Sequence, residues 1–278
     1  MCRKKKAFTL IELLVVIAII ALLLAIITPA LRRVKEKAQF IFCKTNLRSY
    51  GLVMKLYLSE QDDAYPASHW SMFNVPTSTV PRNCQWHDRR TSPENNPQYA
   101  GDLWQYMDSQ DAHMCPTFKT FAKMYGASHP GHNAGIPIEP QYAYSQNNFL
   151  GGRHSYPTGP PIAVLKESEV INPAGVLVWV EETIWLVPPT NVNRWVLNDT
   201  CFMTRHPQDP VGLGDFIATY HNTTPEKKND GMGNAVFVDG HVELCDPYDK
   251  VVLPWGEISG NFKLAWPLTG TYSQTIQY

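Results

Sequence analysis

Polar residues are nearly absent from the first stretch of the chain. After Arg3, Lys4, Lys5 and Lys6 an apolar run extends to Leu31, interrupted only by Thr9, Glu12, Thr28 and Pro29, and Leu13 to Ile27 contains no polar side chain. Positions 8–31 make about 36 Å of helix, enough to cross the hydrocarbon core of a bilayer. Beyond Pro29, apolar residues recur at Leu31, Val34, Ala38, Ile41, Leu52 and Leu56, with Thr45 filling one gap. That three-and-four spacing predicts that the helix continues and turns this stripe toward a folded domain. Arg32, Arg33, Lys35, Glu36, Lys37 and Lys44 occupy its other faces, and Asp62, Asp63 and Pro66 end the pattern. One helix from about Phe8 to about Glu60, on the order of 80 Å long, is therefore expected.

The pattern then changes character. From about Ala64 to Pro173 no period persists, and the chain reads as an extended Pro-rich region with scattered short elements. Val176 to Val180 is a short apolar run that reads as a strand, with Glu181 and Glu182 expected at the surface where it ends. Asn234 to Leu244 alternates on both sides of Asp239-Gly240, a hairpin signal for a two-residue type I′ turn. Pairing Val238 with His241 would place Ala235, Phe237, Val242 and Leu244 on one face. The expected class is α+β: a long N-terminal helix, half membrane and half domain-packed, on an antiparallel sheet with long Pro-rich loops.

Composition narrows the function classes. With 278 residues, 44% of them apolar, the chain buries a core and is not disordered as a whole. Its 22 prolines and 17 glycines disfavour a helical bundle. Lys and Arg number 24 against 25 Asp and Glu, a formal charge of -1, which excludes polyanion binding by bulk charge and gives no reason to expect a nucleic-acid partner. The basic start sets orientation, with Arg3 to Lys6 cytoplasmic and the rest of the chain across the membrane. Thr28-Pro29-Ala30-Leu31 is a poor small-residue cleavage site, so removal of the apolar segment is not expected. Glu12 then stays in the apolar helix, where a carboxylate costs up to roughly 2.5–3.5 kcal/mol and calls for a partner.

The run Lys4-Lys5-Lys6-Ala7-Phe8-Thr9-Leu10-Ile11-Glu12-Leu13-Leu14 resembles the class III signal of pilins and pseudopilins: basic leader, small residue, Phe, and Glu fifth after the cut. Ala7 stands where that family usually has Gly, and Pro29, counted from Phe8, falls where pilin helices carry proline. The resemblance implies cleavage between Ala7 and Phe8 by a prepilin peptidase and methylation of the Phe8 amine. It also implies a Glu12 that meets the amine of a neighbouring subunit, and assembly in the inner membrane into a type IV pilus or a type II secretion pseudopilus. On that reading 1–7 is leader, 8–31 the membrane half of the helix, 32–62 its amphipathic half and 63–278 an extracytoplasmic pilin-like domain. Loss of the leader removes four basic residues, leaving 20 against 25 and a charge of -5.

Further stretches resemble one large pseudopilin-like family found in some bacterial lineages. They are Cys43-Lys44-Thr45-Asn46-Leu47-Arg48 with Tyr57 and Pro66, Leu103-Trp104 with Cys115-Pro116, Tyr142 to Asn147, and Asn172 to Val178. That family carries a C-terminal His-x9-Asp-Gly region. Here the nearest match, His221 with Asp239-Gly240, is separated by seventeen residues, and the polar Thr223 to Gly233 reads as a surface-loop insertion. Asp239-Gly240 is read as a structural turn.

Cys2 lies in the leader, which leaves Cys43, Cys84, Cys115, Cys201 and Cys245, an odd number. Export permits disulfides, and the candidate pairs are Cys43 with Cys115 and Cys201 with Cys245. No C-x-x-C occurs, which argues against a redox dithiol or zinc ribbon. His129-Pro130-Gly131-His132 has no cysteine or carboxylate at ligand spacing, and His221, Asp239 and His241 are explained by strand and turn, so no metal is expected. Asp209, Asp215, Asp246 and Asp249 offer oxygen ligands without EF-hand spacing, so calcium is unsupported and no cofactor is called for. No nucleophile elbow, phosphate loop or HExxH motif is present, and Glu181-Glu182 would point to opposite faces of a strand, so an enzyme is not expected. The competing class is a membrane-anchored carbohydrate- or peptide-binding module using Trp70, Trp86, Trp104, Trp185, Trp195, Trp255 and Trp266 as an aromatic surface. Exposure or burial of those rings separates the two.

Overall fold

A single helix, α1 (Leu10–Glu60), runs for 51 residues and about 75 Å. It belongs to a computed structural model that describes residues 10–151, 164–185, 196–197, 200–202, 215–247, 250–253 and 256–259. The helix stops where Asp62 and Asp63 take left-handed φ values of 50° and 62°, which short polar side chains tolerate, and the Asp63 N–H returns to the Leu58 carbonyl at 2.9 Å.

The chain then follows a path of short 3-10 helices to α2 (Pro116–Tyr125), whose Pro at the first turn and buried Phe118, Phe121 and Ala122 fix its start and its inner face. The strands are β1 (Tyr144–Asn147), β2 (Leu177–Glu181), β3 (Cys201–Phe202), β4 (Gly233–Phe237) and β5 (Val242–Cys245), in the order β3-β1-β2-β4-β5. All neighbours are antiparallel except β1 and β3, so the sheet is mixed. Two further strands, β6 (Lys250–Leu253) and β7 (Gly256–Ser259), pair separately.

The sheet lies against the second half of α1. Tyr50 packs edge-on against Tyr144 and Trp179 at 5.0 and 4.7 Å between ring centroids. Gly51 lets the helix come so close to β4 that a Cβ there would lie 2.8 Å from Val236 Cγ2. A bulge between Leu177 and Trp179 puts the adjacent Val178 and Trp179 into the helix-side core, while Leu177 and Val180 join Phe202, Ile217, Ala235 and Phe237 on the other side.

Three sequence expectations need correction. The stripe of Leu31, Val34, Ala38, Ile41, Leu52 and Leu56 is exposed. The domain instead takes Cys43, Leu47, Tyr50, Gly51, Val53, Met54 and Leu58, whose mean direction lies about 180° around the helix from that stripe. The amphipathic half thus has two apolar faces with equally good spacing, and among the described residues only one of them meets the domain. Glu181 and Glu182 are buried, because the chain after β2 stays inside beneath the segment around Ile217. The hairpin register is also one residue off: Val236 pairs with Val242 and Asn234 with Leu244. Gly240 has φ 92° and Asp239 does not have positive φ, so the loop is Val238-Asp239-Gly240, a tight turn closed by a left-handed glycine, not a two-residue type I′ turn. The slip re-pairs β5, so that Val242 shares the helix-side face of Val236 while Ala235 and Phe237 face the other way with Cys245.

Candidate functional site

From Leu10 to Ala38 no side chain of α1 is buried, and Leu10, Ile11, Leu22, Ile26 and Leu31 are all more than three-fifths exposed. This is the one helix among the described residues long and apolar enough to cross a membrane. Glu12 stands in the first described turn of this helix. Ala7 and Phe8 lie outside the described residues. The helix is continuous through Pro29, which has no N–H for the Ala25 carbonyl, while the Thr28 hydroxyl donates to the Leu24 carbonyl at 2.7 Å and holds the turn.

Where the helix meets the domain, Cys43 is disulfide-bonded to Cys115 at the start of α2, at a sequence separation of 72. His221 lies beside this bridge, its Nε2 3.7 Å from the Cys115 sulfur and 2.8 Å from a Glu181 oxygen, and both partners are fully buried. Glu181 also accepts from the Asn234 N–H at 2.7 Å and from its side-chain amide at 3.0 Å, so the buried carboxylate is surrounded by donors. His221 bridges Met232 across the polar insertion. Asp239 is remote from it in role: it caps the hairpin, accepting from the His241 N–H at 3.1 Å, and His241 stacks on Phe237. The His221 and Asp239-Gly240 elements therefore occupy separate environments, a buried pair and an exposed turn. Cys201 and Cys245 are not bridged. They sit on β3 and β5, the two edges of the sheet, four strand spacings or about 19 Å apart, far beyond the reach of a disulfide.

A second cluster was not legible from sequence spacing. His129 and His132 are joined by Cys84 and His87, their ligand-type atoms all within 4.8 Å of one another. Cys84 and His87 are three apart in a 3-10 helix (Arg82–His87), where such residues eclipse. His129 and His132 are the ends of a Pro-Gly turn, with Gly131 at φ 73° and the His132 N–H on the His129 carbonyl at 3.3 Å. His87 Nδ1 donates to the Pro137 carbonyl at 2.9 Å and His129 Nδ1 to that of Pro130 at 3.0 Å, and the two Nε2 atoms face each other at 3.0 Å. Burial pushes the His87 pKa down and that of His129 to about 4, and pushes the Cys84 thiol up. Cys-x2-His and His-x2-His were the available signals, 42 residues apart and each weak alone.

Of the tryptophans, Trp86, Trp104 and Trp185 are buried and Trp70 is exposed, while Trp195, Trp255 and Trp266 lie outside the described residues. The buried rings pack on Phe118, Phe73 and Phe121 as core. Asp209 and Asp249 also lie outside the described residues.

Residues 2–28 match the family model of the prokaryotic N-terminal methylation motif. The chain therefore carries the N-terminal motif of a prepilin-type precursor with a class III signal, a motif that points to a structural subunit, and among the described residues one apolar helix is suited to anchor it in a membrane. No curated protein and no solved structure gives a match.

Proposed function

We propose that the mature chain is a subunit of a type IV pilus or type II secretion pseudopilus, cut between Ala7 and Phe8, methylated on the Phe8 amine and assembled through α1. The carrying observation is the methylation motif on a helix whose first half is bare and whose second half keeps an apolar face that stays exposed among the described residues. Leu31, Val34, Ile41, Leu52 and Leu56 extend that face well past the span needed for a bilayer, where water would penalise it unless neighbouring helices cover it. Glu12 is then the acid that a neighbour's new amine neutralises. The globular part faces away from the cytoplasm, in a compartment where the Cys43–Cys115 bridge is stable. Three buried tryptophans weaken the competing carbohydrate- or peptide-binding reading, which needed a coplanar exposed set.

The test is the mass of the mature N-terminus after co-expression with a prepilin peptidase. The proposal requires loss of residues 1–7 and one added methyl group. An N-terminus still carrying Lys4 to Lys6 in the presence of an active peptidase refutes it. Glu12→Leu should leave the protein in the membrane and remove it from filaments; undiminished incorporation would reject the role given to the carboxylate.

A further inference from the structure

We propose that Cys84, His87, His129 and His132 form a structural zinc site that ties the 3-10 helix at 82–87 to the turn at 129–132. The four residues comprise one thiol and three imidazoles, a donor set suited to Zn(II), with no position left for a substrate. Tetrahedral zinc with ordinary bond lengths spaces its ligand atoms about 3.4–3.6 Å apart. The cluster, with its closest pair at 3.0 Å and all atoms within 4.8 Å, needs side-chain shifts of only roughly 1 Å to reach that spacing.

The hydrogen bonds around the cluster already have the orientation that a metal requires. His87 and His129 each spend the Nδ1 proton on a backbone carbonyl, which fixes the tautomer and leaves a bare Nε2 lone pair aimed at the centre. Two such lone pairs 3.0 Å apart repel each other unless a cation lies between them. His132 adds a buried Nδ1 with no hydrogen-bond partner. The Cys84 sulfur accepts the Asn133 N–H at 3.4 Å, a contact that stabilises a metal-bound thiolate. On binding, the Cys84 S–H proton leaves to solvent as the sulfur–zinc bond forms, and the three imidazoles bind neutral. His132 is the one partly exposed member and marks the way in.

The location gives the metal a purpose. Among the described residues a small apolar cluster local to this region holds Val75, Val80, Cys84 and Ile136, with Tyr99 at its margin, and Trp86 packs on His87 and His129 from the main core. Long loops with so little to bury gain most from a cross-link, and each ligand pair is already set at a three-residue spacing by a local turn.

Full-length protein in detergent micelles, stripped with a chelator and reloaded with Zn(II), should hold one zinc per chain by elemental mass spectrometry. Reloading with Co(II) should give the visible bands of a tetrahedral ion and a near-ultraviolet sulfur-to-cobalt band. Cys84→Ser should abolish the sulfur band and weaken zinc binding by at least about tenfold, as should His132→Ala for zinc, while Cys245→Ser should change neither. A wild-type chain that takes up no metal, or takes up cobalt without a sulfur band, overturns the proposal without recourse to any variant. So does zinc that survives Cys84→Ser but is lost in His221→Gln, which would move the metal to the buried His221 and Glu181 beside the disulfide.

Discussion

Replacing both Cys43 and Cys115 by Ala opens a covalent loop with a sequence separation of 72 residues. In the chain-entropy description, a loop of that length confines the unfolded state by about 4 kcal/mol at 25 °C. The sulfurs are fully buried, and removing them also takes away contacts to His221, so the loss should not fall below the entropic figure. Urea unfolding of the micelle-bound protein, followed by tryptophan fluorescence, is the assay, since Trp86 and Trp179 are fully buried in the folded state. At a slope of about 2 kcal/mol per molar, the midpoint should fall by about 2 M. Either single variant should lose nearly as much as the double, because each alone already opens the loop. Wild-type protein treated with reductant should unfold with the variants. A double variant within about 1 kcal/mol of wild type would refute the reasoning.

Gly51→Ala should destabilise by about 1 kcal/mol despite the better helix former, because the new methyl meets Val236 Cγ2 on a stiff, buried strand residue, and Val236→Ala should relieve it in the double variant. A stabilised Gly51→Ala would disprove the close approach. His221→Ala should cost about 1–3 kcal/mol by stripping one hydrogen-bond partner from buried Glu181, which keeps its two Asn234 donors, and adding Glu181→Gln should recover part of it; denaturant midpoints decide both. Burial holds the His113 pKa near about 3 against an ordinary value of 6.5, its ring donating to the Met107 carbonyl and accepting from the Tyr50 hydroxyl. The unfolded chain therefore takes the proton first, so this contribution is intact above pH 6.5 and falls toward pH 3 by up to about 1.4 kcal/mol per unit. Midpoints at pH 7 and pH 5 should diverge less in His113→Gln than in wild type, and equal divergence would contradict the assignment.

The parts that were readable from residues alone are those governed by local pattern. The extreme apolarity of Leu13 to Ile27 fixes a helix whatever follows, and Asp239-Gly240 fixes a turn. What failed required knowledge of the third dimension. Two stripes on α1 obey the same spacing, and choosing between them depends on where the sheet lies, which Gly51 and Val236 decide. The hairpin register depended on whether Asp239 could stay at negative φ, a matter of one residue in loop length. Export permitted a second candidate bridge from Cys201 to Cys245, yet strand order puts them on opposite edges. The Cys84 and His129 pairs come together only through loops with no period of their own.

Cys43 is the first fully buried residue met along α1 from the N-terminus, and it is also the one covalently bonded to the domain. Any pull along the rod from its lipid-embedded end reaches this point before it reaches Leu47, Tyr50 or Met54. Tension is thus carried by a sulfur–sulfur bond at the collar, and the non-covalent grip below it is spared from being unzipped turn by turn.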